Sequence, residues 1–240
     1  SPPQTCQQYT EPPPKMARDN ILLSYIIVDL LFVASGGLLI IFALMTEQQE
    51  TATPTLDNVA RDLILLRCPL NAAVGNAVMI FVTFLLSVPA MVIPTSRGWL
   101  KLHGYMVVVC MLFTMIIGLD LWFDTLKTRK NLLSVWNVQP ASSQSLLQQK
   151  LNCCGYTNST SPPFVVDTTC PNALVAAART GCIGPFSTFA NNFLDLVFTG
   201  AFGIVGIDVA LILSTAILLK DRKEKERYRH IDEKNGAGAF

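Results

Sequence analysis

Few residues in this chain have chemistry to offer: seven cysteines, two histidines and a handful of acids. Four of the cysteines share one stretch. Cys153 and Cys154 are adjacent, and Cys170 and Cys182 follow downstream. Adjacent cysteines bridge each other poorly, because the ring they would close is strained. Two separate partners suit them better. Four cysteines outside the cytosol make two disulfides, and three pairings are open. The competing chemistry is a metal centre. Adjacent ligands and the lack of a nearby histidine argue against it. His103 stands at a membrane edge and His230 in the tail. No His-Glu-x-x-His, glycine-rich phosphate loop or Ser/His/Asp set occurs. The residues therefore point away from an enzyme, with no catalytic residue, no metal ligand and no cofactor assigned.

Asp29, Asp120 and Asp208 are the second set of candidates. Each sits in a long apolar segment without Lys or Arg. Those segments are 22–45, 72–93, 102–123 and 197–219. Each is long enough to span a bilayer as a helix. Charged residues make up only 15% of the chain, against about 25% in soluble domains. Too little polar chain remains to cover four such helices in water. An acid inside a span is costly and turns toward the bundle interior. Helical rise puts Asp29 about 11 Å and Asp208 about 16 Å from the inner edge, near enough in depth to meet. Two uses stand. Protonated acids can tie helix to helix by hydrogen bonds, with Asn76 a lesser contributor. Alternatively they line an ion or proton path, or meet a sterol or lipid headgroup in a cavity between spans. Asp120 lies near the outer edge, where it reaches water.

The expected fold class is an all-α four-helix transmembrane bundle with a small and a large disulfide-bonded outer loop. Eleven of the 18 Lys and Arg fall in the tails and the short inner loop. The positive-inside rule then puts both termini in the cytosol. The layout is a tail 1–21, a small outer loop 46–71, an inner loop 94–101, a large outer loop 124–196 and a tail 220–240 around the four spans. Residues 1–15 are proline-rich without apolar periodicity. They read as disordered or as an extension ahead of Met16. Val59 to Leu66 is expected as a short helix or strand lying on the large loop. Leu126, Leu133 and Trp136 fall at helical spacing, so span three is expected to run outward until Pro140. Ser142 or Ser143 is the expected cap of a second helix carrying Leu146, Leu147 and Leu151, with Gly155 as its left-handed stop. Residues 156–185 read as loop, and 190–196 as an amphipathic lead into span four.

Smaller signals fill in the picture. Asn158-Ser159-Thr160 is an N-glycosylation sequon on the outer side. Gly36, Gly37, Gly200, Gly203 and Gly206 offer small surfaces for close helix packing inside the bundle, with a homodimer face as the lesser reading. The tail from Lys220 alternates signs and reads as a solvated helical extension whose first residues touch anionic lipid. Tyr228-Arg229-His230-Ile231 fits a Tyr-x-x-hydrophobic sorting signal. Cys6 is the one cytosolic cysteine available for acylation. Cys110 lies deep in span three, and Cys68 on the outer side.

Cys153-Cys154-Gly155, two further cysteines and then a span make a pattern that resembles the second extracellular loop of tetraspanins. The likeness runs from about Asn20 to Lys220. It implies the pairing Cys153 with Cys182 and Cys154 with Cys170. It implies a membrane organiser that recruits other membrane proteins laterally, at the plasma or endosomal membrane, without nucleic acid. Asp167-Thr168-Thr169-Cys170 departs from the Pro-x-Ser-Cys often found at the third cysteine. From Leu147 onward the chain is similar to tetraspanins of filamentous fungi, on Gln148-Gln149-Lys150, Pro162-Pro163-Phe164-Val165 and the run Lys220 to Arg227. That class is associated with appressorium penetration, spore germination and a membrane NADPH oxidase. A claudin-like protein would need its cysteine pair in the first loop, which holds only Cys68. A small transporter or proton channel using Asp29 and Asp208 is the alternative.

Overall fold

Inward-facing residues recur at alternating steps of four and three along each long helix, the seam of a left-handed bundle. In a computed structural model, residues 15–50, 53–65, 70–93 and 97–236 are described. Cys6, Cys68, Pro94 and the segment before Lys15 lie outside them. Helix α1 (Lys15–Glu50) buries Tyr25, Asp29, Phe32 and Gly36. Helix α3 (Leu70–Val92) buries Asn76, Ile80, Thr83, Ser87 and Ala90. Helix α4 (Arg97–Leu126) buries Leu100, His103, Val107, Cys110 and Thr114. Helix α8 (Ile183–Gly236) buries Asp208, Leu211, Thr215, Leu218 and Arg222. Each helix packs on two neighbours, in the ring α1–α3–α4–α8. Leu38, Leu85, Ile116 and Leu213 point out of the ring and stay open. That is expected of side chains whose solvent is hydrocarbon. All four helices are long and apolar enough to cross a membrane.

The outer half has its own core. Helix α4 ends at Leu126, and a turn at Lys127 separates it from α5 (Thr128–Val138). Span three therefore does not continue unbroken to Pro140. Helix α6 (Ala141–Leu151) has Pro140 as its N-cap residue, and neither Ser142 nor Ser143 caps it. Proline has no N–H to leave unsatisfied, so it fits a helix start. Gln144 instead reaches back and donates to the carbonyls of Trp136 and Gln139, closing the end of α5. The left-handed residue ending α6 is Asn152, not Gly155. Among the described residues of 156–182 there are two isolated bridges and the short α7 (Ala173–Ala177). Helix α8 begins at Ile183, earlier than the sequence suggests, and runs about 80 Å without a break.

The small loop contributes α2 (Val59–Leu65), which lies on α6 and α8. Val59, Leu63 and Ile64 of α2 join Trp136 of α5, Leu147 of α6 and Phe186 of α8 in one buried cluster. Lys150 adds an ion pair to Asp57 at 3.0 Å. The two outer loops thus share a single core.

Candidate functional site

The outer domain is pinned where its own apolar core runs out. Cys153 is bonded to Cys182 and Cys154 to Cys170. The loops they close have separations of 29 and 16 residues, which corresponds to about 3 to 4 kcal/mol each by the chain-entropy estimate. Two close backbone approaches need glycine. Gly155 has φ +71°, and a Cβ there would stand 2.1 Å from the carbonyl oxygen of Asn158. A Cβ at Gly181 would stand 2.2 Å from the carbonyl oxygen of Thr157. Only the first of these two was legible in the sequence.

Gln148 is the polar hub of this region and is fully buried. Its amide nitrogen donates to the carbonyl of Val165 at 2.7 Å and to Asp167 Oδ2 at 2.8 Å. Its amide oxygen accepts from the N–H groups of Gly155 and Val165. Asp167 in turn accepts from the N–H groups of Thr169 and Cys170 through Oδ1. One carboxylate thus shapes the turn that presents Cys170. Asn158 is exposed, and its side-chain oxygen accepts from the N–H and hydroxyl of Thr160. Val138, Val166 and Leu174 stand exposed on the outer domain, outside the apolar spans.

A second feature is a buried polar seam between the spans. Asp29 does not meet Asp208. Ser87 donates to Asp29 Oδ2 at 2.6 Å, and Asp29 Oδ1 faces His103 Nε2 at 3.4 Å. On its other side His103 Nδ1 lies 3.1 Å from the Tyr25 hydroxyl. All four residues are fully buried. His103 is thus turned into the bundle as the centre of the cluster. Just below, Arg222 donates to the carbonyl of Ala90 at 2.7 Å, near the C-terminal end of α3. Deeper in, Thr83 and Cys110 are 3.5 Å apart. Asp208 sits near Cys110, and neither of its oxygens has a hydrogen-bond partner among the described residues. Asn76 donates to Thr114 at 2.8 Å rather than to an acid. Asp120 is exposed.

The glycines divide. A Cβ at Gly36 would stand 2.7 Å from Ile80 Cγ2, so α1 and α3 need that glycine to pack. Gly37, Gly200, Gly203 and Gly206 have open space where a Cβ would go. Gly200, Gly203 and Gly206 lie on the exposed side of α8. The expectation that these three pack the bundle internally is corrected accordingly. Tyr228 and Ile231 are part-exposed on the helical tail, one turn apart.

A family model decides the kinship. The model of the Tetraspanin family matches residues 22–221, most of the chain. This chain belongs to the tetraspanin family. No curated protein and no solved structure gives a match that adds to this. With its four apolar helices it is a multi-pass membrane protein. Tetraspanins are in general non-enzymatic organisers that associate laterally with other membrane proteins. The transporter reading is not favoured. Nothing in the seam of this tetraspanin links Asp29 to Asp208 by hydrogen bonds among the described residues.

Proposed function

We propose that this tetraspanin gathers partner membrane proteins through its outer domain, at the plasma or endosomal membrane, with both termini cytosolic. The observation that carries this reading is exposure: Val138, Val166 and Leu174 are 78%, 70% and 84% exposed on a disulfide-pinned head. Lipid does not account for apolar side chains there, and a partner surface does. The likeness to the filamentous-fungal class supports a setting in appressorium penetration or spore germination, with a membrane NADPH oxidase complex as the partner to test first. Asn158 is proposed to carry a glycan. A sterol or lipid hydroxyl is the proposed donor for the unbonded oxygens of Asp208, and Tyr228 with Ile231 the proposed sorting signal.

Cross-linking in intact membranes followed by co-purification tests the reading. Val166→Asp with Leu174→Asp should lose the partners that the wild type captures, with both disulfides and the surface level unchanged. Partners captured equally by both proteins would overturn it. Asn158→Gln should raise gel mobility in a eukaryotic host, and an unchanged band would remove the glycan.

A further inference from the structure

We propose that Lys220, Lys223 and Arg227 form a docking stripe for the anionic headgroups of inner-leaflet lipids. In sequence the tail only alternates signs. Because α8 continues unbroken to Gly236, helical phase sorts those charges. At 100° per residue, Lys220, Lys223 and Arg227 fall within about 60° of one another. Lys234 continues the same stripe seven residues on, while His230 beside it faces Glu233 at 3.5 Å. The other basic residues of the tail are already engaged. Arg222 is buried against the Ala90 carbonyl. Lys225 pairs with Asp221 at 2.5 Å. Arg229 pairs with Glu233 at 3.8 Å. Glu226 pairs with Arg97 across the inner loop. Among the described residues, no carboxylate lies within ion-pairing distance of Lys220, Lys223 or Arg227, and all three are exposed. Glu224 borders the stripe beside Lys220 and is the nearest acid by helical phase.

Position favours a lipid over a soluble polyanion. Lys220 closes the apolar run of α8, so Lys223 and Arg227 stand about 4 and 10 Å beyond the membrane edge by helical rise. Lys223 is then well within a Debye length of the anionic surface, about 8 to 10 Å, and Arg227 is at about that distance. The neighbouring helix adds to the same rim. Gly104 of α4 packs on Thr215 of α8, and Arg97 reaches Glu226. This antiparallel register brings Lys101, which is exposed, level with the start of the stripe. Three to four cations then face one headgroup layer. A multiply charged phosphoinositide suits them better than a single carboxylate or phosphodiester.

The test uses two variants of equal charge. The full chain is placed in nanodiscs of phosphatidylcholine with a minor fraction of phosphatidylinositol bisphosphate, and lipids retained on the released protein are counted by native mass spectrometry. Wild type should retain the phosphoinositide in preference to phosphatidylcholine. Lys223→Gln with Arg227→Gln should reduce that retention roughly tenfold. Lys225→Gln with Arg229→Gln, which removes the paired cations, should stay within about twofold. Equal losses in the two variants would overturn the proposal, since attraction would then be diffuse charge alone. So would absence of phosphoinositide preference in the wild type. Displacement by an equal concentration of soluble inositol trisphosphate, or by an acidic peptide, would also overturn it, because the stripe would then serve a soluble anion or a protein. No arm depends on a partner of the outer domain, so the outcome is independent of the organiser reading.

Discussion

Adding one methyl group separates two kinds of glycine in this bundle. At Gly36 it would press into Ile80, 2.7 Å away. At Gly203 it would meet nothing within 4 Å. Gly36→Ala should therefore push α1 from α3 and destabilise the bundle by about 1 to 3 kcal/mol. Gly203→Ala should be neutral or stabilising by up to about 1 kcal/mol, because alanine is the better helix former. Thermal unfolding of the purified full chain in detergent checks both, and equal effects would refute the packing assignment. The sequence shows both glycine groups but not their faces. A helix surrounded by lipid has no polar side to mark its outside, so apolar patterning is silent there. His103 was missed for a related reason. Its neighbour Lys101 belongs to the inner rim, whereas His103 is already turned inward by the same helix. Gln148 shows no motif at all; only the folded loop brings Val165 and Asp167 to it. The cysteines were legible as two disulfides, their pairing only through the family resemblance, and Gly155 as a left-handed residue though not as the stop of α6.

Among the elements, α2 carries the most informative acid. Asp62 is about one-fifth exposed, and its Oδ1 is buried without a hydrogen-bond partner among the described residues. Burial pushes its carboxyl above the usual range, and Arg61 at 3.8 Å pulls the other way. A raised carboxyl binds its proton more readily in the folded state. Stability is then full below the ordinary carboxyl value and falls as pH rises from about 4 through the raised value. Asp62→Asn should remove that dependence and keep the low-pH stability of the wild type at neutral pH. The measurement is the difference in outer-domain unfolding temperature between wild type and variant at pH 7.5 and pH 5. A difference that grows at pH 5 would contradict the sign. The spans were readable because apolar length alone specifies them. Caps were not. Serine at the expected start of α6 yields to Pro140, whose missing N–H suits that position, while Gln144 from inside α6 serves the end of α5. The early start of α8 at Ile183 was hidden because Gly184 and Pro185 read locally as a break. In the fold they occupy its first turn, where proline is tolerated.

At the scale of the whole molecule, four helices are held in one register by buried polar groups of opposite condition. Asp29 is partnered: Ser87 donates to it, His103 faces it, and Tyr25 holds the far side of the imidazole. Asp208 is equally buried, yet both of its oxygens are unbonded among the described residues. Hydrophobicity gives little drive between helices in lipid, so such groups weigh more than their number suggests. Removing a member of a partnered set leaves the others buried without compensation, whereas removing an isolated acid leaves nothing behind. Asp29→Leu should therefore cost about 3 kcal/mol or more of bundle stability. Asp208→Leu should be neutral or stabilising in plain detergent. A sterol or lipid hydroxyl bound at Asp208 would change the second result only: wild type would gain stability when that lipid is added, and Asp208→Leu would not. Thermal unfolding of the three proteins, with and without added sterol, reads all of this in one series. Equal losses for Asp29→Leu and Asp208→Leu without added lipid would mean that Asp208 has a protein partner after all. A flux of protons in liposomes that vanishes in Asp208→Asn would replace the organiser with a conductor. The separation of the two acids into different layers of the seam argues for the opposite result, a bundle that carries no current and loses strength only where its partnered acid is removed.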